Sequence, residues 1–192
     1  LLPILTRFFS PTDFGVLALF MAIIQLIAIS ATFRLEMAVV LPKKDIAAAI
    51  LCLRAFLYLL LIVFTLSIFF TFLIALNSID FTLILDLMYS QDKLLSINPF
   101  VLYLIPIGAF FLGVYNILYS WNNRMELYKN MSYSHITHSL FSTPFALLIY
   151  FSPFKSFALI IGQIIGRFLA CFFLFKNLLK TIQLIPQNTF SI

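Results

Sequence analysis

The amino-acid sequence predicts an all-α fold, a polytopic bundle of transmembrane helices. Of its 192 residues, 63% are hydrophobic and only 10% are charged. Soluble domains carry roughly 25% charged residues, so this chain has too few polar groups to cover a surface in water. Its apolar runs reach about 20 residues, the length that crosses a bilayer as a helix, and they lack the strict alternation of barrel strands.

The predicted spans follow these apolar runs along a single transmembrane domain, residues 1–192. Backbone amides in hydrocarbon have to pair within their own segment, so each run is expected to be a helix. The first run is short, and we interpret it as the last turns of a truncated helix. Residues 77–98 mix acidic and apolar residues and are expected to contain an interfacial amphipathic segment. The six spans lie near 1–9 (partial), 14–33, 50–76, 99–121, 131–153 and 156–175.

Polar residues and prolines between the runs indicate where the helices begin. Thr12 or Asp13 can cap the second helix, because their side-chain oxygens can accept hydrogen bonds from the first turn. Asp45 can cap the third helix in the same way. Pro99 opens the fourth, at a position where the missing amide hydrogen costs nothing.

The basic residues predict the orientation of the bundle. Eight of the 12 would lie on one side and three on the other, with Arg167 inside a span, which puts the larger group in the cytoplasm. The net charge of +5 is spread between apolar runs, so no nucleic-acid partner is expected. An aromatic belt is expected at a cytoplasmic boundary. The cytoplasmic basic residues would be Arg34, Lys43, Lys44, Arg54, Arg124, Lys129, Lys176 and Lys180, and the belt residues Tyr115, Tyr119, Trp121 and Tyr128.

Arg167 is the strongest functional candidate because it lies about midway along the span 156–175. A charge there costs on the order of 2.5–3.5 kcal/mol on insertion scales, so it should face protein or a water-filled cavity. Gln163 lies one turn before Arg167, so the two polar residues share one helix face, which is adjacent to the face of the glycines. Gly162 and Gly166 form a smooth surface for close helix packing. Arg167 therefore either lines a substrate path or anchors the bundle through an ion pair or hydrogen bond.

A second group of candidates, Arg34, Glu36 and Arg54, lies near the predicted cytoplasmic face. Guanidinium groups bind phosphate through paired hydrogen bonds, so this group suits a cationic vestibule. The alternative is that these are boundary charges that reach out to lipid headgroups. Gln25 lies about three turns before Glu36 and can share its face. Asn116 has a similar position inside the fourth span.

Neither a metal site nor a catalytic site is expected. His135 and His138 are three residues apart, but no cysteine or carboxylate lies nearby in the sequence to complete a metal site. Nucleotide-binding, serine-hydrolase and zinc-protease motifs are absent from the sequence. No acidic residue is central in a predicted span. We therefore predict that the chain is not an enzyme and uses no cofactor.

Two longer stretches resemble a known family. Residues 3–15 read PILTRFFSPTDFG, and residues 33–42 read FRLEMAVVLP. The first is similar to the first-loop signature P-x-L-T-R-x-[YF]-[ST]-P-x-[DE]-[FY]-G of bacterial Wzx-type oligosaccharide flippases, within the multidrug/oligosaccharidyl-lipid/polysaccharide exporter superfamily. The second resembles the stretch that follows one span later. Residues 104–106 with 121–124, and residues 162–167, are similar to the family's fourth and sixth helices.

The resemblance implies a transporter of about a dozen helices in two lobes around a central cavity, of which this chain matches the amino-terminal lobe. It would move undecaprenyl-diphosphate-linked repeat units of O-antigen or another polysaccharide across the bacterial inner membrane by alternating access. Arg34, Arg54 and Arg167 are carried over as candidates for the family's cation-rich cavity. The partners would be membrane lipid, the lipid-linked oligosaccharide, and the missing carboxy-terminal lobe or the polysaccharide polymerase machinery.

Other functions remain open at this point. A membrane enzyme such as a polymerase or ligase would carry arginine, histidine or acidic residues in a long outward loop, and residues 77–98 have no arginine or histidine. A multidrug or small-molecule exporter of the same superfamily would generally lack the two paired signatures. A non-transporting, truncated membrane scaffold would fit a chain that has one lobe.

Overall fold

The computed structural model describes the backbone of residues 2–75, 100–152 and 157–184, and all regular structure in those ranges is helical. The predicted all-α bundle is therefore confirmed. The predicted interfacial segment in residues 77–98 lies outside the described residues. The helices are α1 (Leu2–Phe8), α2 (Pro11–Thr32), α3 (Leu35–Ala38), α4 (Asp45–Ala75), α5 (Phe100–Arg124), α6 (Tyr128–Tyr150) and α7 (Ala158–Leu184).

Four of the described helices are long and apolar enough to cross a membrane, by length and composition. α6 overlaps the predicted span 131–153 but is not among them, because its first half carries many polar side chains. Whether α6 and the short α1 cross the membrane stays a prediction. The four membrane-capable stretches are Pro11–Thr32, Asp45–Phe72, Tyr103–Arg124 and Ala158–Phe175.

The start of α2 is fixed by a reciprocal cap. The Asp13 amide donates to the Ser10 hydroxyl oxygen at 3.3 Å, and the Ser10 amide donates to the Asp13 carboxylate at 2.9 Å. This capping box satisfies two amides that would otherwise lack partners. Pro11 follows as the first helical residue, where no amide hydrogen is needed. The prediction of Thr12 or Asp13 as the cap was wrong, because Asp13 acts from within the first turn.

The end of α2 is a left-handed break. Phe33 and Arg34 adopt φ angles of 49° and 55°, a conformation that side chains other than glycine rarely take. The chain leaves the helix there and starts α3 at Leu35. Because of this break, residues before and after it do not share one continuous helix face.

α5 lies at the centre of the bundle, where it packs against α2, α4 and α7 and also touches α6. A side chain at Gly113 would overlap Leu59 of α4, whose own side chain is completely buried. α4 can therefore lie close against α5. α5 is also the most buried of the membrane-capable helices.

α6 and α7 form the most extensive helix pair. A Cβ atom on Gly162 would lie 2.6 Å from the carbonyl oxygen of Ser142, and one on Gly166 would lie 2.9 Å from that of His138. The two main chains therefore touch directly, as small residues allow in membrane bundles. This contact sets which α7 residues face α6.

Substituting Gly162 by alanine is expected to destabilise the bundle by about 1–3 kcal/mol, because the added methyl group overlaps main-chain atoms of α6 that cannot move aside easily. Gly15→Ala is the matched control, since nothing lies within 4 Å of its Cβ position. Thermal unfolding of the two purified variants in detergent measures the stability of each. A melting temperature for Gly162→Ala equal to that of Gly15→Ala would contradict the direct contact.

Candidate functional site

Arg167 lies in the middle of the apolar stretch of α7 and is only partly exposed. Its Nε atom is buried and has no hydrogen-bond partner among the described residues. Within those residues, the ion pair that forms is between Arg124 and Asp45, and no carboxylate pairs with Arg167. Part of this guanidinium is therefore desolvated without a counter-charge from the described part of the chain.

Polar side chains that surround Arg167 come from three helices. Tyr115 of α5 and His138 of α6 lie within range of its charge, and Gln163 of α7 lies beside His138. The Nε2 atom of His138 is also buried and unpartnered in the described structure. A buried polar atom without a hydrogen bond costs about 1–3 kcal/mol. This junction of α5, α6 and α7 therefore favours any guest that can accept or donate hydrogen bonds.

The Tyr115 side chain ties α5 to α6 at this junction. Its hydroxyl lies 3.4 Å from the Ser134 hydroxyl, and Ser134 donates in turn to the carbonyl of Met131 at 2.7 Å. Tyr115 and Trp121 are 9% and 1% exposed. The prediction that both belong to an aromatic belt was wrong, because the central position of α5 turns these rings into the bundle.

The second predicted group does not form a connected cluster in the described structure. Arg34 is exposed in the left-handed break, with Nη1 3.7 Å from the sulfur of Met37. Glu36 is 5% exposed, and its Oε2 atom has no hydrogen-bond partner among the described residues. Arg54 is exposed on α4. No ion pair joins these three residues within the ranges described.

The remaining predicted residues lie on different helices. Gln25 is exposed on α2, and Asn116 is half-buried on α5. Gln25 was expected to share a face with Glu36, but that argument assumed one continuous helix. The break after Thr32 removes the shared register.

Arg124 is a structurally important residue that the sequence reasoning counted only as a cytoplasmic charge. Its Nη1 donates to the carbonyl oxygens of Val39 and Pro42 at 3.1 and 2.6 Å, and its Nη2 donates to the Asp45 carboxylate at 2.8 Å. The end of α5 is thereby fastened to the segment between α3 and α4. The sequence feature that could have pointed to its structural role is its position in the last turn of α5, where basic side chains are favoured.

Buried polar atoms also accumulate around this end of α5. The Trp121 and Asn122 side chains are 1% and 0% exposed. Trp121 Nε1 and Asn122 Oδ1 have no partner in the described part of the chain, although the Asn122 amide group donates to the Leu118 carbonyl at 2.8 Å. α3, which carries Glu36, contacts α5. The interior is therefore polar at this end as well as at Arg167.

Long apolar helices with a desolvated cation between them define a multi-pass membrane protein. A family model described as "Polysaccharide biosynthesis protein" matches residues 4–190, and the chain belongs to that family. No curated protein and no solved structure matches significantly. The expected role in polysaccharide biosynthesis is therefore confirmed at the level of the family. The flippase subgroup remains a prediction.

Replacing Arg124 by alanine is expected to destabilise the protein by about 2–3 kcal/mol, because the hydrogen bonds from a charged donor to the carbonyls of Val39, Val40 and Pro42 are lost. Arg124→Lys should recover only part of this loss, since an ammonium group lacks the planar fork. Asp45→Asn, which removes only an exposed ion pair, should cost less than about 1 kcal/mol. Melting temperatures in detergent test this order. Equal values for Arg124→Ala and Asp45→Asn would contradict it.

Proposed function

We propose that this chain is the amino-terminal lobe of a flippase that moves undecaprenyl-diphosphate-linked polysaccharide repeat units across the bacterial inner membrane. The observation that carries the proposal is Arg167, a partly buried guanidinium in a membrane-capable helix without a carboxylate partner among the described residues. Membership of a polysaccharide biosynthesis family supports the choice of cargo.

The chemistry of a diphosphate suits this position. A guanidinium can hold two phosphate oxygens through parallel hydrogen bonds, and these bonds are stronger than neutral ones. An apolar surrounding strengthens the attraction further because its effective dielectric is lower than that of water. His138 and Gln163 add hydrogen-bonding groups on the same side. The diphosphate would supply the negative charge that the described bundle lacks there, while the polyprenyl tail stays in lipid.

The exposed arginines are suited to attract the substrate toward this site. Arg34 and Arg54 would attract the diphosphate from the cytoplasmic side, and Glu36, Gln25 and Asn116 would offer polar contacts along the way. A second lobe would enclose the cavity from the other side, and rocking of the two lobes would expose the site to each leaflet in turn. Translocation of this kind breaks no covalent bond, so neither a catalytic residue nor a cofactor is needed.

Arg167→Ala in the full-length protein is expected to lower export of the surface polysaccharide about 10- to 100-fold, because the loss of charge-assisted hydrogen bonds of about 1.5–3 kcal/mol weakens binding of the diphosphate. Lipid-linked repeat units should accumulate on the cytoplasmic side. Arg167→Lys should retain more export, since it keeps the charge.

Lys129→Ala is the matched control, because it removes one positive charge from an exposed position in the first turn of α6. It should leave export unchanged. Immunoblots of membrane fractions must show equal amounts of each variant. Normal surface polysaccharide in Arg167→Ala cells would overturn the proposed role.

A further inference from the structure

Three rings at the junction of α5 and α6 form an aromatic cluster, which consists of Tyr115, Tyr119 and His135. Tyr115 and Tyr119 are stacked, with ring centroids 5.8 Å apart and planes at 29°. His135 presents its ring edge-on to both, with centroids at 6.1 and 5.5 Å. The cluster therefore has two stacked phenol rings on one helix and an imidazole ring on the other.

The cluster leads from the buried site toward an open surface. Tyr115 is 9% exposed and lies within range of the Arg167 charge. Tyr119 is half-buried and His135 is exposed. Tyr119 follows Tyr115 by one helical turn, about 6 Å along the axis. A molecule whose charged end lies at Arg167 would therefore place its next group on Tyr119 and His135.

The chemistry of the cluster distinguishes between possible guests. It contains no arginine or lysine, so it does not favour a further phosphate. A hydrocarbon chain would bury the phenol and imidazole polar atoms without partners, which is unfavourable. A sugar has an apolar C–H face that can pack on an aromatic ring, and hydroxyl groups at its edge. Phenol and imidazole groups can both donate and accept hydrogen bonds, as those hydroxyls require.

We propose that the aromatic cluster is a sugar-contact site that binds the part of the repeat unit next to the diphosphate. This inference rests on the proposed function, because it takes the diphosphate to lie at Arg167. The accessible rings, Tyr119 and His135, make the contact. Tyr115 is a positioning residue, since its ring is buried and supports Tyr119 by stacking while its hydroxyl meets Ser134.

The test measures the affinity of the full-length protein in nanodiscs for two probes. One is undecaprenyl diphosphate without sugar, and the other is the lipid-linked glycan pool purified from cells that express the protein. His135→Ala and Tyr119→Ala are each expected to weaken glycan-lipid binding about 3- to 10-fold and to leave binding of the bare diphosphate unchanged. Tyr119→Phe, which keeps the ring, should lose less affinity for the glycan lipid than Tyr119→Ala.

Tyr133→Ala is the matched control, because Tyr133 is an exposed tyrosine on the same helix that packs on Phe173 instead of the cluster. It should bind both probes as the parent protein does. His135 is exposed, so its removal is decisive even if Tyr119→Ala lowers the melting temperature.

The outcomes separate the two proposals. If His135→Ala and Tyr119→Ala weaken the binding of both probes equally, or of neither probe, the proposal of a sugar-contact site is wrong while the flippase proposal stands. If Arg167→Ala weakens the binding of both probes, and the cluster variants weaken the binding of the glycan lipid alone, both proposals are supported. If the parent protein binds neither probe, the proposed function is wrong, and the sugar-contact site is wrong with it.

Discussion

The placement of one guanidinium within an apolar helical bundle is the constraint on which the rest of this structure depends. Arg167 would cost on the order of 2.5–3.5 kcal/mol in hydrocarbon, so its surroundings have to be polar. Tyr115, His138 and Gln163 provide this from three helices. They meet because Gly162 and Gly166 let α7 lie against the main chain of α6. The packing of the helices and the chemistry of the site therefore have the same origin.

The two partly buried arginines of the described bundle serve different purposes. Arg124 directs its two terminal nitrogens at main-chain carbonyls and a carboxylate of the protein itself, while its Nε has no partner among the described residues. Arg167 forms no ion pair in the described ranges and keeps a buried donor without a partner. Both residues keep an unpartnered Nε, so the difference between them is the ion pair that Arg124 forms and that Arg167 lacks among the described residues. Arg124 thus stabilises the packing at one end of α5, and Arg167, near the middle of α5, is a candidate binding group.

The fold class followed from composition and run length, because a chain with few charges can satisfy its backbone in lipid only as helices. Arg167 and the glycines beside it were recognisable because a charge and a small-residue repeat are conspicuous in an apolar run. The partners of Arg124 lie about 80 residues earlier in the chain, and no local pattern reports such a contact. The inward turn of Tyr115 and Trp121 was missed because a helix at the centre of a bundle has no single apolar stripe to orient it.

The direct contact of α6 with α7 has a mechanical consequence for the proposed rocking transport. Main chains that touch through glycine cannot slide past each other without a clash, so the two helices have to travel as one block. The spacing between Arg167 and His138 would then stay constant through the cycle, and any change would fall on the contacts of α6 with α5, which include the Tyr115–Ser134 hydroxyl pair and the ring edges of His135. A charged headgroup would be bound with the same geometry on both sides of the membrane, and only the contacts to the group attached to that headgroup would change.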